Sequence, residues 1–129
     1  MPRRKFGNKI TYVGDIRFDS KTEANWYLKY RDAERRGWIS NLRLQVPYEL
    51  IPGIYEEREE IKHLKTKDKV VRKKVTVQNP VRYIADFVYF DNRTGKEMVI
   101  DVKGKRTKEY ILKKKMMRYF KGIEIIEVK

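Results

Sequence analysis

The chain contains no cysteine, which excludes a disulfide framework, a thiolate metal site and a cysteine nucleophile. Histidine occurs once, at His63, so a His-rich zinc cluster is excluded as well. Any metal would fall to carboxylates, carbonyls and water. No run of about 18 apolar residues occurs, and no membrane-spanning helix is expected. The opening MPRRKFGNK is basic but no apolar stretch of the signal-peptide kind follows it. A cytoplasmic, reducing setting is the expectation. Repeats, linkers and low-complexity tracts are also missing, and 129 residues suit a single domain, 1–129, whose core needs no staples.

Acids are the scarce charge. Asp and Glu number 18 against 32 Lys and Arg, a formal +14. Such an excess suits a polyanionic partner, because a basic surface gains affinity by releasing phosphate counterions. The cations are clustered: residues 62–74 hold seven and residues 103–121 hold nine. Composition alone would also fit a structural, RNA-associated basic protein.

Hydrophobic periodicity organises the chain. KITYVGDIRFDS (9–20) reads as a hairpin around Gly14-Asp15. Residues 20–37 read as a helix capped by Ser20, with Trp26, Tyr27, Tyr30 and Ala33 on its apolar side, widened by Ala24 and Leu28. Gly37 closes it. Leu42, Leu44 and Val46 alternate as a strand over 41–50, with Pro47 placing its end at an edge or bend. The charged stretch 54–77, with its turn near Lys67-Asp68, reads as a protruding hairpin inserted into the domain (54–80 with its flanks); a short helix over 55–64 is the alternative. Residues 81–90 are β-branched and aromatic on both faces, as a central strand requires. KEMVIDVKGK returns as its antiparallel neighbour after a turn at 92–95. A second helix spans 107–122, capped by Thr107, with Tyr110, Ile111, Met117 and Phe120 on its apolar side. IEIIEV (123–128) is a last strand. The expected class is α/β (α+β): a central mixed β-sheet flanked by helices.

Two aspartates stand where strand propensity disfavours them. Asp86 interrupts Tyr83-Ile84-Ala85 and Phe87-Val88; Asp101 interrupts Met98-Val99-Ile100 and Val102. If the 92–95 turn pairs the strands, both lie away from it on neighbouring strands, where facing Cβ atoms are about 4.5–5.5 Å apart. Two carboxylates that close repel unless one protonates or a cation sits between them. A hard divalent ion with oxygen ligands at about 2.0–2.1 Å resolves the repulsion. Lys103 shares a face with Asp101 and can polarise a water or stabilise charge on a scissile phosphate. Gly104 permits close backbone approach.

FDSKTEANWYL, YIADFVYFD and VIDVKGKRT…LKKK resemble the PD-(D/E)XK nuclease superfamily, and within it a small, largely phage-encoded branch. The pattern is an acid heading the first core helix (Glu23), an acid on a core strand (Asp86), then acid-X-Lys on the next (Asp101-Val102-Lys103). Ala85 stands where the name calls for proline. The likeness is also to Holliday-junction resolvase and transposase-endonuclease members. It implies a restriction-endonuclease-like core and a Mg2+-dependent DNA endonuclease, Mn2+ substituting. Glu23, Asp86, Asp101 and Lys103 would be catalytic, with Glu23, Asp86, Asp101 and Val102 at the metal. Branched DNA, Holliday junctions or a nicked strand would be the substrate, cut structure-selectively or with weak sequence preference. Its cellular place would be the cytoplasm of a bacterial host.

Each residue also has a plainer reading. Glu23 sits three after Ser20 and could complete a capping box, Lys103 could be Asp101's salt-bridge partner, and Gln45 could be a solvated strand residue. Arg3, Arg4, Lys73, Lys74, Lys105, Arg106, Lys113, Lys114 and Lys115 are the candidate DNA contacts, and segments 1–9 and 62–74 suit phosphates better than bases. One of Lys113 and Lys114 could reach back toward the site. His63 carries no metal signature. A non-catalytic nucleic-acid-binding module on a nuclease-like fold is the competing function, and a homodimer would be needed to cut both strands.

Overall fold

The structure, a computed structural model, describes residues 9–129. Its elements run β1 (Thr11–Val13), β2 (Ile16–Phe18), α1 (Lys21–Arg35), β3 (Ile39–Ile51), β4 (Ile54–His63), β5 (Asp68–Gln78), β6 (Val81–Asp91), β7 (Lys96–Val102), α2 (Lys108–Met116) continuing as a π-helical turn (Met117–Lys121), and β8 (Ile125–Val128). The order is the expected one. β3, β6, β7 and β8 form one sheet in that spatial order, antiparallel except for the parallel β7–β8 pair. The fold is therefore a mixed α/β arrangement, rich in strand, with a helix on each face of a mixed sheet.

α1 forms because its ends are satisfied. The Ser20 hydroxyl accepts from the Glu23 amide at 3.1 Å. At the far end Gly37, at φ +78, lets its own amide reach Glu34 O and the Trp38 amide reach Ala33 O, both at 3.0 Å, which is a Schellman closure. The buried face is Ala24, Tyr27 and Tyr30, packed with Phe18, Ile39, Phe87 and Ile100. Leu28 does not belong to it and is exposed; it lies beyond the arc that one sheet face can cover. On the other face Tyr110 and Met117 join Leu50, Tyr83, Ala85, Val88, Val99 and Ile125. Ile111 and Phe120 were expected there and are exposed. The apolar stripe is narrower than the full run, and the π turn widens the period, which carries Phe120 away.

Pro47 neither ends nor breaks β3. It sits inside the strand opposite Ile84, tolerated because β3 is an edge strand of the sheet. An extra residue bulges out of β3 between Ser40 and Arg43. There Asn41 takes φ +54, and the Leu42 amide is satisfied by Glu34 Oε2 of α1 at 2.9 Å.

A second irregularity positions the site. Leu42 and Leu44 pack on the α1 side, whereas Val46, Tyr48 and Leu50 pack on the α2 side. Across the ladder, Phe87 and Tyr89 face α1 while Tyr83 and Ala85 face α2. Strict alternation would keep 44 with 46 and 85 with 87. Both strands therefore swivel at the facing positions Gln45 and Asp86, without loss of register. Gln45 accommodates the swivel at φ +50, a conformation that non-glycine residues adopt at a cost.

Candidate active site

The swivel turns Gln45 and Asp86 toward the first turn of α1. Gln45 Nε2 donates to Glu23 Oε1 at 3.1 Å and to Asp86 Oδ1 at 3.4 Å, bridging the two acids. Glu23 thus does not close a capping box with Ser20: only its amide is used for the cap, and its carboxylate is turned into the site. The β6–β7 ladder ends at Phe87–Ile100. Beyond it the Asp86 carboxylate takes over a strand's role, its Oδ2 accepting from the Val102 amide at 2.8 Å. Val102 accordingly contributes its backbone, not its side chain.

Asp101 is the one buried charged residue among those described, 2% exposed. Its Oδ2 accepts a hydrogen bond from the Tyr83 hydroxyl. Its Oδ1 lies 3.1 Å from Lys103 Nζ but lacks an aligned hydrogen-bond donor, so the pair is ionic rather than directional. The Lys103 ammonium also sits 4.1 Å from the centre of the Tyr110 ring, a favourable place for a cation. The Lys103 amide donates to Val128 O at 2.9 Å, anchoring the residue to β8.

Two adjoining hollows share Asp86 and Lys103 as walls. One, about 440 Å³, is lined by Ser20, Glu23, Asp86, Lys103, Gly104 and Lys129. The other, about 270 Å³, is lined by Tyr83, Asp86, Asp101, Lys103, Tyr110 and Lys113. Lys113 is therefore the helix lysine that reaches the site, held by Glu109 at 2.9 Å. A Cβ on Gly104 would meet nothing within 4 Å, so the cleft is open there and the chain itself does not demand a glycine.

Crowding of carboxylates changes their acidity. Burial, followed by the charges of Asp86, Asp19 and Asp101, pushes Glu23 up to about 7, against the opposing donation from Gln45. Burial and then the Asp101 charge push Asp86 up to about 6, opposed by the Val102 amide, Gln45 and Lys103. Burial and the bond to Asp101 raise the Tyr83 phenol well above its ordinary range, so it remains a donor. Perturbed acids gathered in a cleft are the usual mark of a functional site.

Among the described residues no three acidic groups are drawn together closely enough to enclose a metal ion. Asp86 and Asp101 do not face each other as a bare carboxylate pair: one is held by a backbone amide, the other by a tyrosine and a lysine. The donor chemistry still suits a hard cation. All candidate ligands are oxygens, three carboxylates and the Val102 backbone, Asp101 Oδ1 has no aligned donor, and burial together with neighbouring negative charge raises the pKa of Glu23 and Asp86.

The remaining predicted contacts scatter. Arg3 and Arg4 lie outside the described residues. Arg106 and Lys114 both engage Glu127, the latter at 3.1 Å, so they are partly neutralised by the chain itself. They line a separate hollow of about 230 Å³ with Lys115 and Arg118, the last paired with Glu124 at 3.5 Å. Lys105 adjoins the site on the loop after β7 and lines a neighbouring hollow with Lys103. Lys73 and Lys74 lie on β5, with Lys74 stacked on Tyr55 at 4.5 Å. His63 is exposed and bonded to Asp68. None of the helices among the described residues is long and apolar enough to cross a membrane. Tyr83 and Tyr110 are site residues that sequence reasoning took for core. Residues 3–127 match the protein family described as "Protein of unknown function (DUF1064)". No curated protein and no solved structure matches the chain.

Proposed function

We propose that this chain, which belongs to the DUF1064 family, is a divalent-metal-dependent DNA endonuclease built on a PD-(D/E)XK-type core. The observation that carries the reading is the gathering of Glu23, Asp86, Asp101 and Lys103 around two adjoining hollows that share Asp86 and Lys103 as walls. A salt-bridge account of Asp101 and Lys103 leaves unexplained why Glu23 and Asp86 are also brought there against their mutual repulsion.

In this reading Asp86 and Asp101 would hold Mg2+ or Mn2+ with Glu23 joining directly or through water, the three carboxylates drawing closer around the ion than they stand here. The ion supplies Lewis-acid stabilisation of the phosphoryl oxygens and lowers the pKa of a bound water. The chain's own residues do the rest. Lys103 Nζ, fixed between Asp101 and the Tyr110 ring, orients the attacking water and offers positive charge to the phosphorane oxygens. Tyr83 keeps Asp101 in place by donating to Oδ2. Gln45 fixes the spacing of Glu23 and Asp86. Lys113 and Lys105 lie where flanking phosphates would run. The water's oxygen bonds to phosphorus as the bond to the leaving oxygen breaks, and that oxygen takes up a proton. With little surface left for reading bases, branched or nicked DNA is the favoured substrate, and two copies would be needed to sever a duplex.

Supercoiled plasmid incubated with protein and Mg2+ tests the reading. Wild type should relax and linearise it, while Asp86→Asn and Lys103→Ala, folded and still DNA-bound, should be slower by about a hundredfold or more. Equal inertness of all three proteins would leave a DNA-binding module without turnover.

A further inference from the structure

From the structure we infer that the β4–β5 ribbon is a two-faced nucleic-acid arm, one face of which grips the phosphate backbone away from the cleavage cleft. The inference rests on the DNA-binding part of the preceding reading but not on catalysis. Every residue of β4 is exposed, and no residue of either strand joins a core cluster. A two-stranded ribbon that packs on nothing is marginal in water, so its surface asks for a partner.

The register sorts its charges. On one face, cross-strand neighbours are matched: Glu57 with Lys74, Glu59 with Arg72, Ile61 with Val70 and His63 with Asp68. That face is neutralised by its own residues, and His63 and Asp68 close the tip at 2.8 Å. On the other face Arg58 stands opposite Lys73 and Lys62 opposite Lys69. Like charges directly opposite destabilise a hairpin. Arg58 is compensated by Glu56 at 3.2 Å, but among the described residues nothing engages Lys62, Lys69 or Lys73. Lys65 and Lys67 flank them at the turn, where the Leu64 amide bonds Lys67 O at 2.9 Å. Five lysines thus crowd one face and the tip, and Glu60, opposite Val71 on that face, forms an ion pair with none of them among the described residues.

A polyanion removes the cost of that arrangement. The pairs Arg58–Lys73 and Lys62–Lys69 are four residues apart, about 13 Å along the strand, a spacing at which separate phosphates of one backbone can be met. Lysines act as point charges here, so the contact adds affinity without base readout. The acids of β4 divide evenly, Glu57 and Glu59 on the matched face and Glu56 and Glu60 on the other, so the first face is neutralised while on the second the four cations Arg58, Lys62, Lys69 and Lys73 outnumber two acids. Lys74, one of the expected DNA contacts, belongs to the matched face and is assigned no DNA role.

The test compares charge-matched variants in the Asp86→Asn background, in EDTA, by fluorescence anisotropy on a duplex of about 30 base pairs. Each phosphate contact contributes about 0.9 to the slope of log K against log salt. Lys62→Gln/Lys69→Gln should lower the slope by about 1.8 and weaken binding at 0.1 M salt by about tenfold or more. Arg72→Gln/Lys74→Gln, removing the same charge from the matched face, should change the slope by less than half as much. Lys62→Glu, which gives Lys69 an opposite partner, should weaken DNA binding while raising the thermal stability of the ribbon. Equal slopes for the two double variants would overturn the inference, as would an altered association state without DNA for Lys62→Gln/Lys69→Gln, which would make the face a protein interface. These outcomes are read without cleavage, so inactivity on plasmid leaves them unaffected.

Discussion

Replacing Asp86 by Asn should stabilise the protein at pH 8 and leave it no more stable near pH 4. Burial and the neighbouring Asp101 charge hold Asp86 at about 6 against an ordinary 3.8. In the unfolded chain the carboxyl titrates at its ordinary value. The folded state therefore binds the proton more tightly, and stability falls as pH rises from about 4 to 6, the loss being complete above that. Raising the carboxyl from 3.8 to about 6 corresponds to about 3 kcal/mol. Asn still accepts from the Val102 amide, but its NH2 opposes the Gln45 donor, an offset of about 1 kcal/mol. The net gain at pH 8 is about 1–2 kcal/mol, or roughly 5 °C in Tm for a domain of this size. Glu23, pushed up to about 7, acts in the same direction and extends the window to neutrality, though solvent screening reduces its share. Thermal unfolding followed by circular dichroism in EDTA at pH 4, 6 and 8 reads the effect. A variant less stable than wild type at pH 8, or a difference that does not vary with pH, would refute the reasoning and make Asp86 a structural residue. Stability gained by removing a site residue is the expected signature of function maintained at a stability cost.

Two further substitutions test the supporting residues. Tyr83→Phe removes the donor to Asp101 Oδ2 and leaves a buried oxygen unsatisfied; it should cost about 1–3 kcal/mol in urea denaturation and lower cleavage through the displaced Asp101. An unchanged midpoint would show that the hydroxyl does not hold that carboxylate. Gln45→Gly relieves the φ +50 backbone while deleting the bridge between Glu23 and Asp86. Stability should change by less than about 1 kcal/mol and plasmid cleavage should fall at least tenfold. A large loss of stability instead would assign Gln45 to the fold.

Much of this architecture is legible in the residues because local and global preferences agree. Ser20 and Thr107 cap their helices, and Asp101 and Lys103 share a strand face through the period of two. The charged ribbon is recognisable because its apolar residues never suffice to bury it. What escapes the sequence is the swivel of β3 and β6. Leu42, Leu44 and Val46 continue an unbroken alternation on paper, yet a single left-handed residue at Gln45 sends Leu44 and Val46 to opposite faces. That rotation brings Gln45 to the acids and Tyr83 under Asp101, contacts that no spacing rule anticipates. A glutamine within an apolar alternation is the only hint. Phe120 departs from its expected side for a related reason: periodicity assumes a regular helix, and the π turn at Met117–Lys121 is invisible to it, whereas Ile111, in the regular part of α2, lies outside a buried stripe narrower than the apolar run. Burial of Asp101 by Tyr83 and Lys103 likewise depends on contacts far apart in the chain.

Binding of Mn2+, followed by electron paramagnetic resonance of the free ion at pH 8, tests the metal centre directly. Wild-type protein should remove Mn2+ from solution saturably, with Mg2+ competing, and Asp86→Asn and Asp101→Asn should each bind at least tenfold more weakly while remaining folded. Indistinguishable binding by wild type and both variants would contradict a carboxylate-held ion at this cleft.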